Sequence, residues 1–165
     1  MKMLTILRHA KSSWKNSNLS DHDRPLNARG ERDAPIMAER IQQAGIRPSL
    51  ILSSPAVRAW TTARVLAQEI SYPNEFLQRH ERLYHAGVRR IIEVLSEQDV
   101  GFNSIMIVGH NPGLTDFANY LVPGLTHNIP TCGVVSVTID TEDWNLKTVK
   151  GAELAVYDYP KKKQS

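Results

Sequence analysis

Short apolar runs at residues 3–7, 49–52, 104–108 and 134–139 alternate with longer stretches whose apolar residues recur every three or four positions. That alternation points to an α/β architecture with a parallel sheet between helical layers. The runs at 3–7, 49–52 and 104–108 read as strands covered on both faces, and residues 74–78 form a further strand candidate. Met37, Ile41 and Ala44 share a helical face after a capping Asn27, and Gly45 is placed to end that helix. Ala59, Ala63, Leu66 and Ile70 form a second apolar face, and Leu114, Phe117, Ala118 and Leu121 a third. Beyond residue 134 the pattern changes: two strands flank a polar turn at 141–145 with no helix between them, as in an antiparallel addition to a parallel sheet. The expected fold is a three-layer α/β/α sandwich with a mostly parallel sheet and an antiparallel C-terminal edge.

With 165 residues and 41% apolar content, the chain is sized for one core, so residues 1–160 are expected to form one domain. The net charge of +3 owes much to Lys161, Lys162 and Lys163, which read as part of a solvated basic tail at 161–165 and not as a nucleic-acid arm. Cys132 is the single cysteine, so no internal disulfide forms and a reducing compartment is expected. The first apolar run is broken by Arg8 and is too short for a signal or membrane segment, which makes the cytoplasm the expected location.

Three of the strand candidates end in the same kind of chemistry. "TILRHA" stops at Arg8 and His9, "LILSSPAVRAWTTA" passes through Ser54 and Pro55 into a helix, and "IMIVGHNPGL" passes through Gly109, His110, Asn111 and Pro112 into another. In open α/β sheets, ligands lie just outside the carboxyl ends of the strands. Ser54 and Asn111 suit helix caps, and the prolines after them suit first helical positions. Arg58 falls in the first helical turn, from which its side chain leans back toward the strand ends. Two arginines, two histidines and two helix N-termini then surround one small volume, which suits a dianion such as phosphate. The polar loop at 16–30 lies near that face.

"LRHAKSSW", "DHDRPLNARGERDA", "LILSSPAVRAWTTA", "ERLYHA" and "VGHNPGL", in this order, resemble the histidine phosphatase superfamily, also called phosphoglycerate mutase-like, and most of all its SixA-like phosphohistidine phosphatase branch. The resemblance implies that His9 is the nucleophile, with Arg8, Arg58 and His110 binding the phosphoryl group. It further implies in-line transfer to a ring nitrogen of His9 and hydrolysis of the phosphohistidine intermediate, with no cofactor and no metal. Ala10 stands where glycine commonly follows the nucleophile, although alanine is familiar in the SixA-like branch. A histidine nucleophile must be neutral, and the two arginines are expected to depress its pKa. They also supply the cationic charge that phosphoryl transfer requires.

Order along the chain makes Glu81 the expected proton donor, with Asp21, Asp23 and Asp116 as rivals; Asp21 or Asp23 is also suited to hold the polar loop through Arg24. "HERLYH" looks like a zinc-peptidase signature, but His80 and His85 are five residues apart and would diverge by about 140° on a helix. Few residues at 71–84 or after 123 remain to build a lid, so the pocket is expected to be shallow and open to a phosphorylated protein, with no nucleic-acid or membrane partner. The alternatives are a phosphomonoesterase for a small phosphorylated metabolite or nucleotide, which benefits from a deeper pocket, and a non-catalytic phosphate-binding module, against which a retained nucleophile argues.

Overall fold

A computed structural model describes residues 1–163, so Gln164 and Ser165 of the expected basic tail lie outside the described residues. Strands β1 (Lys2–Arg8), β2 (Leu50–Ser53), β3 (Leu77–Arg79), β4 (Ser104–Gly109), β5 (Val134–Ile139) and β6 (Glu153–Asp158) form one sheet in the order β3-β2-β4-β1-β5-β6. The first four in that order run parallel, whereas β5 is antiparallel to β1 and β6 antiparallel to β5. Helices α1 (Ala28–Gln43), α2 (Val57–Glu69), α3 (Val88–Ser96) and α4 (Gly113–Leu121) connect the strands through β5.

The sheet is covered on both faces, which is why its central strands read as unbroken apolar runs. Leu4, Ile6, Leu52, Ile105 and Ile107 face α3 and α4, packing with Ile91, Val94, Leu95, Leu114 and Phe117. Leu7, Ile51, Met106 and Val108 face α1 and α2, packing with Met37, Ile41, Ala59, Ala63 and Leu66. Asn27 caps α1 by accepting a hydrogen bond from the Gly30 amide at 2.8 Å, and Gly45 ends it in the left-handed region at φ 78°.

Three local readings differ from the structure. Helix α3 was not anticipated, although Val88, Ile91, Val94 and Leu95 carry helical spacing and its inner face is buried. The strand expected at 74–78 covers only Leu77–Arg79, because Asn74–Phe76 close into a 3₁₀ turn after Pro73. The polar turn expected at 141–145 is part of a longer connection with its own core residues: Trp144 and Leu146 are buried, and Trp144 Nε1 donates to the Phe102 carbonyl at 2.8 Å. In the tail, Lys161 and Lys163 are exposed, while the Lys162 amide donates to the Tyr159 carbonyl. Among the described residues no helix is long and apolar enough to cross a membrane.

The parallel register aligns the strand ends. Arg8 pairs with Gly109, and Ser53 with Val108, so His9, Ser54 and His110 leave the sheet at the same level.

Candidate active site

Main-chain bonds set the position of His9. Its amide donates to the Gly109 carbonyl at 3.1 Å, and its carbonyl accepts from the Cys132 amide at 3.0 Å. The His9 ring is buried, with Nδ1 2.7 Å from the Ala10 carbonyl. A carbonyl only accepts, so Nδ1 carries the proton and Nε2 keeps a free lone pair. Ala10 packs in the core beside α1 and α2, and the left-handed non-glycine residues are Ser71, His85 and Cys132 among those described, so the turn after His9 does not require glycine.

His110 is 3% exposed, and its ring centroid lies 5.2 Å from that of His9. Its Nε2 is 2.7 Å from Ser54 Oγ, which already accepts from the Ala56 amide at 3.2 Å. The hydroxyl proton has no other acceptor among the described residues, so Ser54 Oγ donates to Nε2, which places the His110 proton on Nδ1, a buried nitrogen with no protein partner. Ser54 does not cap α2 as expected: the helix begins at Val57 and not at Pro55, Ala56 takes the N-cap position, and Ser54 Oγ accepts from the Ala56 amide in the turn before it. Likewise α4 begins at Gly113, with Asn111 Oδ1 accepting from the Thr115 amide at 3.2 Å.

Both arginines reach the same cleft, a space of about 270 Å³. Arg8 donates through Nη1 to the Ile129 carbonyl at 2.8 Å, and Arg58, 2% exposed, donates through Nη1 and Nη2 to the Asp21 carbonyl and carboxylate at 2.6 and 3.0 Å. Arg8 Nε and Arg58 Nε are buried without partners, as is His110 Nδ1. A buried orphan polar group costs about 1–3 kcal/mol, and all three of these nitrogens belong to side chains that line this cleft.

The Asp21 carboxylate crosses the cleft wall. It accepts from Arg58, from Arg24 Nε and Nη2 at 3.2 and 3.1 Å, from Tyr84 Oη at 2.6 Å, and pairs with His85 Nε2 at 2.9 Å. Partial burial works to raise its pKa, but the bonds from Tyr84, His85 and Arg58 outweigh burial and hold it well below the usual carboxylate range. Arg24 also donates to Ser12 Oγ at 2.8 Å and lies 3.5 Å from the Trp14 ring, so it ties the polar loop to the rim. Of the other proton-donor candidates, Glu81, Asp23 and Asp116 are exposed and do not line the cleft. Glu81 starts a 3₁₀ turn away from it, and Arg82 pairs instead with Glu93 and Glu97. The cleft wall includes Lys11, Ser12, Trp14 and His85, none of which was singled out for phosphate chemistry. Trp14 and Ser12 stand in the quoted "KSSW", and His85 had been weighed only as a metal ligand.

His9 is pushed down to about 3, mainly by burial, with Arg58, Arg8 and Arg24 adding to it against the Ala10 bond. The arginines thus act in the expected direction, but burial is the larger cause. His110 is pushed down to about 2, again chiefly by burial, then by His9, Arg58 and His85. Folded pKa values below the ordinary 6.5 mean that the unfolded chain binds protons the folded chain refuses. Stability is accordingly greatest above pH 6.5 and falls with pH, by up to about 1.4 kcal/mol per pH unit for each ring. Denaturation midpoints at pH 6.5 to 4.5 should show that slope, and His110→Gln should shallow it; an equal slope in the variant rejects the assignment.

An α/β fold that gathers two arginines and two histidines at the carboxyl ends of its parallel strands has the layout of a phosphate-handling enzyme. The chain belongs to the histidine phosphatase superfamily, in its SixA-like branch, and is a phosphatase; the superfamily's branch 1 model matches residues 4–84. An uncharacterised chloroplastic protein of Arabidopsis thaliana is 31% identical over 155 residues, covering 87% of this chain and 69% of that protein. The crystal structure of a SixA protein from Agrobacterium tumefaciens superposes with a TM-score of 0.81 at 25% identity, covering 96% of this chain and 98% of that one. The protein histidine phosphatase SixA complexed with tungstate shares the fold, with a TM-score of 0.79 at 22% identity over 96% of this chain and 97% of that one.

Proposed function

We propose that this phosphatase removes phosphate from phosphohistidine carried on a protein, through a phosphohistidine intermediate on its own His9. The observation that carries the reading is the pairing of a neutral, oriented His9 Nε2 with three buried, partnerless donors around one cleft. Nε2 attacks phosphorus as the bond to the substrate nitrogen breaks. Arg8, Arg58 and His110 hold the phosphoryl oxygens while charge redistributes over them. Water then attacks phosphorus, the N–P bond to His9 breaks, and phosphate leaves. The residues present complete this cycle without a cofactor or metal.

The substrate class rests on the rim. Trp14 is 72% exposed at the cleft mouth, and Lys11 and His85 beside it are exposed as well. A site this open admits a phosphate standing on a macromolecular surface, whereas a small metabolite gains more from enclosure. The similarity to SixA, and a tetrahedral oxyanion complex of one such protein, support the same reading. Arg8, Lys11, Arg24 and Arg58 line this cleft, a concentration of cationic charge that suits a compact phosphate, and a lone buried cysteine suits the cytoplasm.

The test is a comparison of kcat/KM on a protein phosphorylated on histidine, on free phosphohistidine, and on a panel of sugar and nucleotide monophosphates. The phosphoprotein is expected to be the best substrate. Turnover confined to one metabolite would transfer the assignment to the small-molecule class.

A further inference from the structure

Protonation of the leaving group has no carboxylic acid to supply it. Glu81, Asp23 and Asp116 lie off the cleft, and Asp21 is held as an anion by its donors. The titratable side chain that faces the cleft beside Asp21 is His85.

His85 adopts the left-handed conformation at φ 50°, a placement unfavourable for a residue with a Cβ unless its surroundings hold it. Two contacts do so. A Cβ on Gly113 would stand 1.8 Å from the Ala86 carbonyl, so the start of α4 presses on the backbone just after His85. The Tyr84 ring lies 4.2 Å from the His85 ring and donates to the same Asp21 oxygen. The His85 ring is 4.8 Å from that of His110, which is 5.2 Å from that of His9. Three imidazoles therefore run from the nucleophile to the cleft mouth.

The carboxylate of Asp21 only accepts, so His85 Nε2 carries a proton toward it, and Nδ1, which has no partner among the described residues, is the exchangeable position. The groups around His85 are Asp21 from the 3₁₀ turn at Asp21–Asp23, Arg58 behind Asp21 from α2, Tyr84 from its own loop with His22 against that ring, and His110 after β4.

We propose that His85, oriented by Asp21, is the proton donor of this site and extends its range to alkyl phosphate esters. This rests on the covalent His9 mechanism. In the first step the P–O bond breaks as His9 Nε2 bonds to phosphorus, and protonated His85 gives its Nδ1 proton to the departing oxygen. In the second, neutral His85 takes a proton from water as that oxygen bonds to phosphorus and the N–P bond breaks, which restores both histidines. An alkoxide needs that proton, and a positioned acid contributes about 10²–10⁴-fold. The imidazole of phosphohistidine can already carry a proton, and an activated aryl oxide leaves without one.

The experiment compares His85→Asn with the parent enzyme on an alkyl phosphate, 4-nitrophenyl phosphate and free phosphohistidine, because asparagine tolerates the left-handed backbone but transfers no proton. Expected is a kcat/KM loss of about 100-fold or more on the alkyl ester and less than about fivefold on the other two, which also report a folded site. The alkaline limb of the alkyl-ester pH profile should vanish, and added imidazole should restore part of the rate in His85→Ala. Equal losses on all three substrates, or an alkaline limb unchanged in His85→Asn, overturn the role of His85 while leaving the His9 mechanism standing. A parent enzyme that forms no phosphoenzyme overturns that mechanism and this inference with it.

Discussion

Replacing His9 by alanine is expected to abolish phosphoenzyme formation and to lower kcat on every substrate by on the order of 10⁶-fold, the scale on which loss of a covalent nucleophile acts. The argument runs through protonation and geometry together. Burial pushes His9 down to about 3, so the ring is neutral around pH 7, and Nδ1 on the Ala10 carbonyl leaves Nε2 as the atom with a free lone pair. A rate that rises between pH 5 and 7 in the parent enzyme therefore does not report deprotonation of His9. The donors proposed to hold phosphate survive the substitution, so phosphate is expected to bind His9→Ala still and to protect it from unfolding. Alkaline quenching of enzyme mixed with labelled substrate, followed by gel separation, reads the intermediate directly. Turnover in His9→Ala within tenfold of the parent would falsify covalent catalysis.

Arg58→Ala should cost about 10²–10³-fold in kcat/KM, shared between a higher KM and a lower kcat. Arg58 is nearly fully buried, lines the cleft, has a partnerless Nε, and uses its other two nitrogens to hold Asp21. Its loss removes charge from the phosphoryl site and frees one wall of that site at once. Arg58→Lys should recover little, because an ammonium cannot present three separated donors in a plane. Steady-state kinetics of the two variants decide the matter: a lysine variant with near-parental kcat/KM would mean that charge alone is needed there.

The phosphate end of the cleft was legible in the sequence because each of its residues follows a strand of strong apolar character. Arg8, His9 and His110 need only the sheet register to bring them level, and Arg58 needs only the short link from β2 into the first turn of α2. The leaving-group end was not legible. Asp21, Tyr84 and His85 come from two loops whose meeting depends on close packing, including the approach of Gly113 to the Ala86 carbonyl, and no periodicity encodes that. Glu81 was favoured by its order along the chain, but a 3₁₀ turn carries it away from the cleft while bringing residues three and four positions later toward Asp21. Helix α3 escaped for a different reason. Its charged Arg89, Arg90 and Glu93 interrupt a short apolar stripe, and only burial of Ile91, Val94 and Leu95 against the sheet makes the stripe evident.

Strand β1 lies where the parallel and antiparallel parts of the sheet meet, so the His9 main chain is bonded to β4 on one side and to the chain entering β5 on the other. The rim is anchored in another way. Between the Ser13 amide, bonded to the Pro25 carbonyl, and Arg24, the loop is held largely by side chains that converge on Asp21. Segments secured by exposed side-chain contacts open locally far more often than central strands do. The two ends of one cleft are thus anchored differently, one through side chains gathered on Asp21 and the other through the main-chain ladder of the sheet. Product can leave through a loosened rim while His9 keeps its place in the hydrogen-bond ladder.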